Sequence, residues 1–148
     1  NVAAQTNVKI ISWKGRCEVH ERFTAEEILA YKEQHKDIVV LAHPECSPEV
    51  VAVSDFAGST AGMSNYVKDN QPQKVIMVTE CSMSDNVAIE NPDVEFVRPC
   101  NLCPHMKRIS LKKIYDAIRF NQFQIEVDED IINRARLSID RMLEIGRS

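Results

Sequence analysis

Cys100 and Cys103 stand three residues apart in Pro99-Cys100-Asn101-Leu102-Cys103-Pro104-His105-Met106-Lys107, between an apolar run at 94–98 and a helical pattern that opens at Ser110. A thiol pair in such a junction binds a metal or cluster, or does redox chemistry. Covalent haem attachment is excluded, because Pro104 stands where that motif needs a histidine. A thioredoxin-like dithiol wants its second cysteine inside a helix, which Pro104 and the late cap at Ser110 disfavour. Cys17-x-x-His20 taken with Cys100-x-x-Cys103 could build a Cys3His zinc site. The plain alternative is two small loop residues.

Two further clusters carry chemistry. His43-Pro44-Glu45 sets an imidazole beside a carboxylate, a pair suited to general acid–base work or to holding an anion. A lone histidine at a strand end is more often a satisfied hydrogen-bonding residue. Gly58-Ser59-Thr60 precedes a helix, so its hydroxyls and free N–H groups could cradle a carboxylate or phosphate, or simply cap that helix. Cys46 and Cys81 read as small apolar residues of the interior.

The elements that must position these residues follow from pattern. Residues 8–13 are short, apolar and β-branched and read as a strand leading into the Cys17 loop. Thr24-Ala25-Glu26-Glu27 is a capping box, predicting a helix over 25–35. Residues 38–42 and 74–79 are continuous apolar runs, as in strands buried on both faces of a parallel sheet. Ser47-Pro48 starts a helix expected to reach Phe56, and a second short helix is expected over 63–68. A helical or loop segment and a strand at 94–98 follow, then a helix capped by Ser110. Residues 124–127 are expected to be extended, and Asp128 to cap a last helix whose Met142 and Leu143 face a core. Strands alternating with helices at these lengths mean an α/β fold on a parallel sheet. Ligands of such sheets bind outside the carboxyl ends of the strands, where Cys17, His43, Glu45 and Cys103 are all expected to fall.

Bulk properties narrow the function. With 148 residues the chain has room for one good core, and 44% hydrophobic with 27% charged residues is a globular composition. A net charge of −4 offers no basic face for nucleic acid. No apolar run approaches the roughly 20 residues that span a bilayer, so no membrane partner is expected. Five cysteines at irregular spacing make a poor disulfide framework and fit a reducing, cytoplasmic setting.

Taken in order, Trp13-Lys14-Gly15-Arg16-Cys17-Glu18-Val19-His20, His43-Pro44-Glu45-Cys46, Gly58-Ser59-Thr60 and Cys103-Pro104-His105-Met106-Lys107 resemble the quinolinate synthase family. The resemblance implies three similar α/β domains about a pseudo-threefold axis, each giving one cysteine to a 4Fe–4S cluster with one iron left open as a Lewis acid. It implies condensation of iminoaspartate with dihydroxyacetone phosphate to quinolinate in de novo NAD biosynthesis, with a partner enzyme supplying iminoaspartate. Carried over by position, Cys17 and Cys103 match cluster ligands. Cys100 matches a nearby cysteine that can pair with another thiol. Glu45 matches the acid–base residue and His43 its substrate-contacting neighbour. Ser59 and Thr60 match the pair that holds a substrate carboxylate or phosphate, and His20, Met106 and Lys107 match positions lining or supporting the cavity. Family members are longer. Residues 1–22 are therefore expected to be the end of the second domain with its cysteine loop, 23–123 the third domain, and 124–148 an extended segment with an amphipathic helix. On its own the chain is expected to be inactive and to lack the cluster, with Cys100 and Cys103 free or oxidised to each other. The alternative is a stand-alone zinc-binding or thiol-redox α/β module.

Overall fold

The two continuous apolar runs become the centre of the sheet in the computed structural model, which describes residues 1–146. Strand β1 (Val39–Ala42) and strand β3 (Lys74–Val78) pair in parallel, with Val39 opposite Val75 and Ala42 opposite Val78. Strand β2 (Phe56–Ala57) flanks β1 and strand β4 (Glu95–Val97) flanks β3, giving the order β2-β1-β3-β4 with every pairing parallel. The α/β class expected from the sequence is thus the observed one.

Both faces of the central strands are covered, which is why they carry no polar alternation. On one face Val40, Ala42, Ile76 and Val78 pack with Val19, Phe23, Ile28 and Val50. On the other, Leu41, Val75 and Met77 pack with Met63, Val67 and Val87. Helices α1 (Ala25–Gln34) and α2 (Pro48–Ala52) therefore serve the first face, and α3 (Thr60–Asn70) and α4 (Cys81–Glu90) the second. Helix α1 opens on the capping box: the Thr24 Oγ1 accepts from the Glu27 N–H at 3.2 Å, and the Glu27 carboxylate accepts from the Thr24 N–H at 3.1 Å.

Four local expectations fail. Residues 8–13 form no strand, and Val8, Ile11 and Trp13 are exposed; apolar β-branched character cannot make a strand where no edge is offered to pair with it. Helix α2 ends at Ala52 rather than near Phe56. Asp55 stops it by bonding to β1 twice: its N–H donates to the Val40 carbonyl at 2.9 Å and its Oδ2 accepts from the Val40 N–H at 2.7 Å. This clamp turns Phe56–Ala57 into an edge strand. Helix α3 begins at Thr60, earlier than 63, because the Ser59 hydroxyl caps it by accepting from the Gly62 N–H at 3.1 Å.

The chain forms two compact units, Asn1–Lys107 and a second from Arg108 onward. The sheet and all the candidate site residues belong to the first. The second holds α5 (Leu111–Phe120), capped by Ser110, and α6 (Glu129–Gly146), opened by the Asp128 carboxylate accepting from the Asp130 N–H at 2.9 Å. Residues 124–127 pair with no strand. The fourth failed expectation lies here: Met142 and Leu143 are exposed, since α5 and α6 do not cover each other's apolar faces.

Candidate active site

Every strand of the sheet delivers a candidate residue at its carboxyl end. His43, Pro44 and Glu45 follow β1, Ser59 and Thr60 follow β2, Thr79 and Glu80 follow β3, and the cysteine loop follows β4. Because the connections leave β1 and β3 toward opposite edges, the gap between these two strands is the topological switch point, where open α/β sheets bind ligands.

His20 bridges that gap. It arrives in a short 3-10 turn (His20–Arg22) anchored by its neighbours Val19 and Phe23 in the core. Its Nδ1 lies 3.0 Å from Glu45 Oε2, beyond β1, and its Nε2 lies 3.0 Å from Thr79 Oγ1, beyond β3. The His43 ring stacks on it with centroids 4.5 Å apart and planes 9° from parallel. The His43 Nδ1 in turn accepts from the Glu45 N–H at 3.3 Å. Burial, then the neighbouring His43 charge, lowers the His20 pKa, only partly offset by the hydrogen bond and charge of Glu45. His20 is therefore a neutral imidazole near neutral pH.

The thiols separate by environment. Cys46 is buried, its Sγ 3.5 Å from the Val78 carbonyl, and desolvation pushes its pKa up to about 11; it is an interior residue, as expected. Cys17 and Cys103 are free, half-buried and packed against the same core cluster. Their loops also meet, with Glu18 Oε2 3.9 Å from His105 Nε2. Cys17 follows a loop rather than the expected strand. Cys100 is disulfide-bonded to Cys81, with Cα atoms 5.1 Å apart. That corrects two expectations: Cys81 is not merely a packing residue, and Cys100 is neither free nor paired with Cys103. It also removes Cys100 from a Cys3His zinc site.

Glu80 fastens the Cys103 loop from below. Its Oε1 accepts from the Cys103 N–H at 3.4 Å, with Lys107 Nζ 3.7 Å away, and its Oε2 accepts from the Ser82 N–H at 2.8 Å. Lys107 donates to Ser82 Oγ at 2.6 Å, so it supports the loop, while Met106 is exposed. Ser59 and Thr60 are exposed at the start of α3, whose first N–H groups are available to an anion. Neither Thr79 nor Glu80 was singled out by the sequence, although both stand directly after an unmistakable buried strand. Cys81 as a disulfide partner left no spacing signal.

A cleft of about 1020 Å³ opens beside these residues, lined among others by Trp13, Arg16, Cys17, Pro44 and Glu45. Asn1 shapes its floor, its Nδ2 donating to the carbonyls of Pro44 at 2.8 Å and Cys46 at 2.9 Å. Donor atoms of Cys17, His20 and Glu45 lie within 4.8 Å of one another, a spacing an ion could bridge. Both ring nitrogens of His20 already have partners, so the group reads as a hydrogen-bonded array with a free thiol beside it. For an iron–sulfur cluster the fit is one of donor type and place: two half-buried free thiols on one face of the sheet, in loops that touch.

Fold and site together define a parallel α/β domain with enzyme-type chemistry gathered at its strand ends. Residues 1–144 match the family model described as Quinolinate synthetase A protein. The chain is 62% identical to quinolinate synthase 1 of Mesorhizobium japonicum over 143 residues, 97% of this chain and 44% of that protein. It is 58% identical to quinolinate synthase of Sinorhizobium medicae, covering 98% of this chain and 40% of the relative. Against quinolinate synthase of Xylella fastidiosa the identity is 57%, over 98% of this chain and 43% of the relative. The chain belongs to the quinolinate synthase family, and it spans less than half the length of these relatives.

Proposed function

We propose that this chain supplies one side of a quinolinate synthase active site, in a cytoplasmic transferase of pseudo-threefold build that makes quinolinate for de novo NAD biosynthesis. The substrates are iminoaspartate, delivered by a partner enzyme, and dihydroxyacetone phosphate. The observation that carries the reading is the convergence of the Cys17 loop, the His20–Glu45 pair and the Cys103 loop at the carboxyl ends of β1, β3 and β4.

Cys17 and Cys103 would hold the 4Fe–4S cluster together with a thiolate from outside this chain. When bound, the cluster supplies a Lewis acid at its open iron. Glu45, whose side chain is 57% exposed toward the cleft, moves protons to and from substrate. His43 contacts the substrate beside it, and Ser59 with Thr60 holds a carboxylate or phosphate at the start of α3. Two thiolates do not retain a cluster, so the chain alone is inactive and cluster-free.

Anaerobic co-expression with the N-terminal portion of the Mesorhizobium relative tests this. Quinolinate formation by the assembled, iron-loaded protein but not by either part alone is expected. An assembled, iron-loaded protein that makes no quinolinate would overturn the proposal. Stoichiometric zinc in the chain alone would favour a stand-alone zinc module.

A further inference from the structure

We infer that Glu80 is a positioning residue for Cys103: one carboxylate caps helix α4 and also holds the Cys103 N–H, so the start of α4 fixes where this thiol points. The use of that thiol in a cluster rests on the function proposed above; the anchor itself does not.

Glutamate is an unusual cap. An N-cap needs one short acceptor, and Asn, Asp, Ser and Thr fill it best. Helices α1, α2, α3, α5 and α6 keep to this with Thr24, Ser47, Ser59, Ser110 and Asp128. Among the described α-helices only α4 is capped by a glutamate. Its Oε2 does the capping, accepting from the Ser82 N–H at 2.8 Å. The extra carbon lets Oε1 reach away from the helix to the Cys103 N–H at 3.4 Å, with Lys107 Nζ 3.7 Å from the same oxygen. A side chain that only capped would gain nothing from that length.

Burial makes the arrangement demanding. Glu80 is 8% exposed, so both of its oxygens depend on protein donors. Two backbone N–H groups from different elements meet separate oxygens, and a carboxylate offers both as acceptors. A glutamine would set its NH2 against one of those donors. The backbone supports the same contact, since a parallel bridge joins Glu80 to Asn101 beyond the ends of β3 and β4.

The two residues after Glu80 grip the same loop, but farther from the thiol. Cys81 is disulfide-bonded to Cys100, three residues before Cys103, and Ser82 Oγ accepts from Lys107, four residues after it, at 2.6 Å. The disulfide opens to any thiol reductant that reaches the exposed Cys100. Of these three tethers only Glu80 bonds to the residue that carries the thiol, where it sets the direction of the Cα–Cβ bond. Ligand side chains are commonly aimed by such supporting contacts.

Glu80→Asp separates the two tasks, because aspartate is a good cap but one carbon too short to reach Cys103. Amide hydrogen exchange of this chain, read residue by residue by NMR, is expected to show the Cys103 N–H exchanging roughly 10-fold to 100-fold faster in that variant. The α4 amides and the urea midpoint are expected to change little. Reducing the Cys81–Cys100 disulfide of the wild type is expected to leave the Cys103 N–H protected. In the anaerobically assembled protein Glu80→Asp is expected to weaken iron retention against a chelator on the order of 10-fold. A folded Glu80→Asp chain whose Cys103 amide is as protected as in the wild type overturns the inference. So does acceleration shared equally by the α4 amides, which would mean capping alone, or loss of protection on reduction alone. A wild-type Cys103 N–H that exchanges at the free-peptide rate overturns it even if the variant fails to fold. If exchange follows expectation while the assembled wild type holds no iron, the anchor stands and the function proposed above fails.

Discussion

In the proposed function Glu45 is the residue on which the chemistry turns, and its setting shows how little of a site lies in the reactive group itself. The imidazole behind it comes from 25 positions earlier in the chain, and the hydroxyl bonded to that imidazole lies 59 positions after His20. The positions of His43, Glu45 and Cys103 after strands were legible, whereas Cys17 was expected after a strand at 8–13 and follows a loop instead. Their supports were not legible, because Thr79 and Glu80 are ordinary residues whose roles exist only once β3 lies beside β1. The thiols yield a prediction at this scale. Alkylation of the native chain under non-reducing conditions should label Cys17 and Cys103, spare Cys46, and leave Cys81 and Cys100 as a linked peptide on mass mapping. Rapid labelling of Cys46 would contradict the burial described. His20 yields another. Its folded pKa lies below the ordinary 6.5, so its contribution to stability is fully present above that value and is lost as pH falls through the folded pKa. Urea denaturation across that window should show a loss of stability on acidification that His20→Gln reduces; an unchanged pH dependence in that variant would exclude the buried neutral imidazole.

Elements were read best where sequence and packing asked for the same thing. The capping box of α1 is local, and the apolar runs of β1 and β3 are each other's partners, so the structure places all three as expected. Residues 8–13 failed because a strand is a property of a pair, and propensity names only one member. The edge strand β2 was hidden for the opposite reason: Phe56–Ala57 has no strand signature of its own and is made by Asp55 clamping Val40 from both sides. Asp55→Ala should therefore destabilise the domain by roughly 1–3 kcal/mol, read as a lower urea midpoint with unchanged slope. Lys32, whose Nζ is 2.9 Å from Asp55 Oδ1, is partly exposed, and its removal should cost much less. Equal effects for the two variants would mean that the ion pair rather than the clamp ends α2.

At the scale of the molecule, a four-stranded parallel sheet brings four loops to one rim, and the candidate chemistry is distributed across all four. The overall class was visible from alternation alone, and the family from four short motifs in order. What a single sequence could not show is the pairing of Cys81 with Cys100, which depends on α4 and the loop after β4 meeting beyond the sheet. Nor could it show that the apolar stripe of α6 stays exposed, since periodicity reports that a face is apolar and not that anything covers it. The chain spans 44% of the length of its Mesorhizobium relative.

The central claim is that Cys17 and Cys103, 86 positions apart, serve one cluster. Iron and acid-labile sulfide analysis of the anaerobically assembled protein tests it most directly. About four irons and four sulfides per complex are predicted for the wild type, as the 4Fe–4S stoichiometry requires. Cys17→Ser and Cys103→Ser should each lose them, and Cys46→Ala should not. Full iron content in either serine variant would contradict the account.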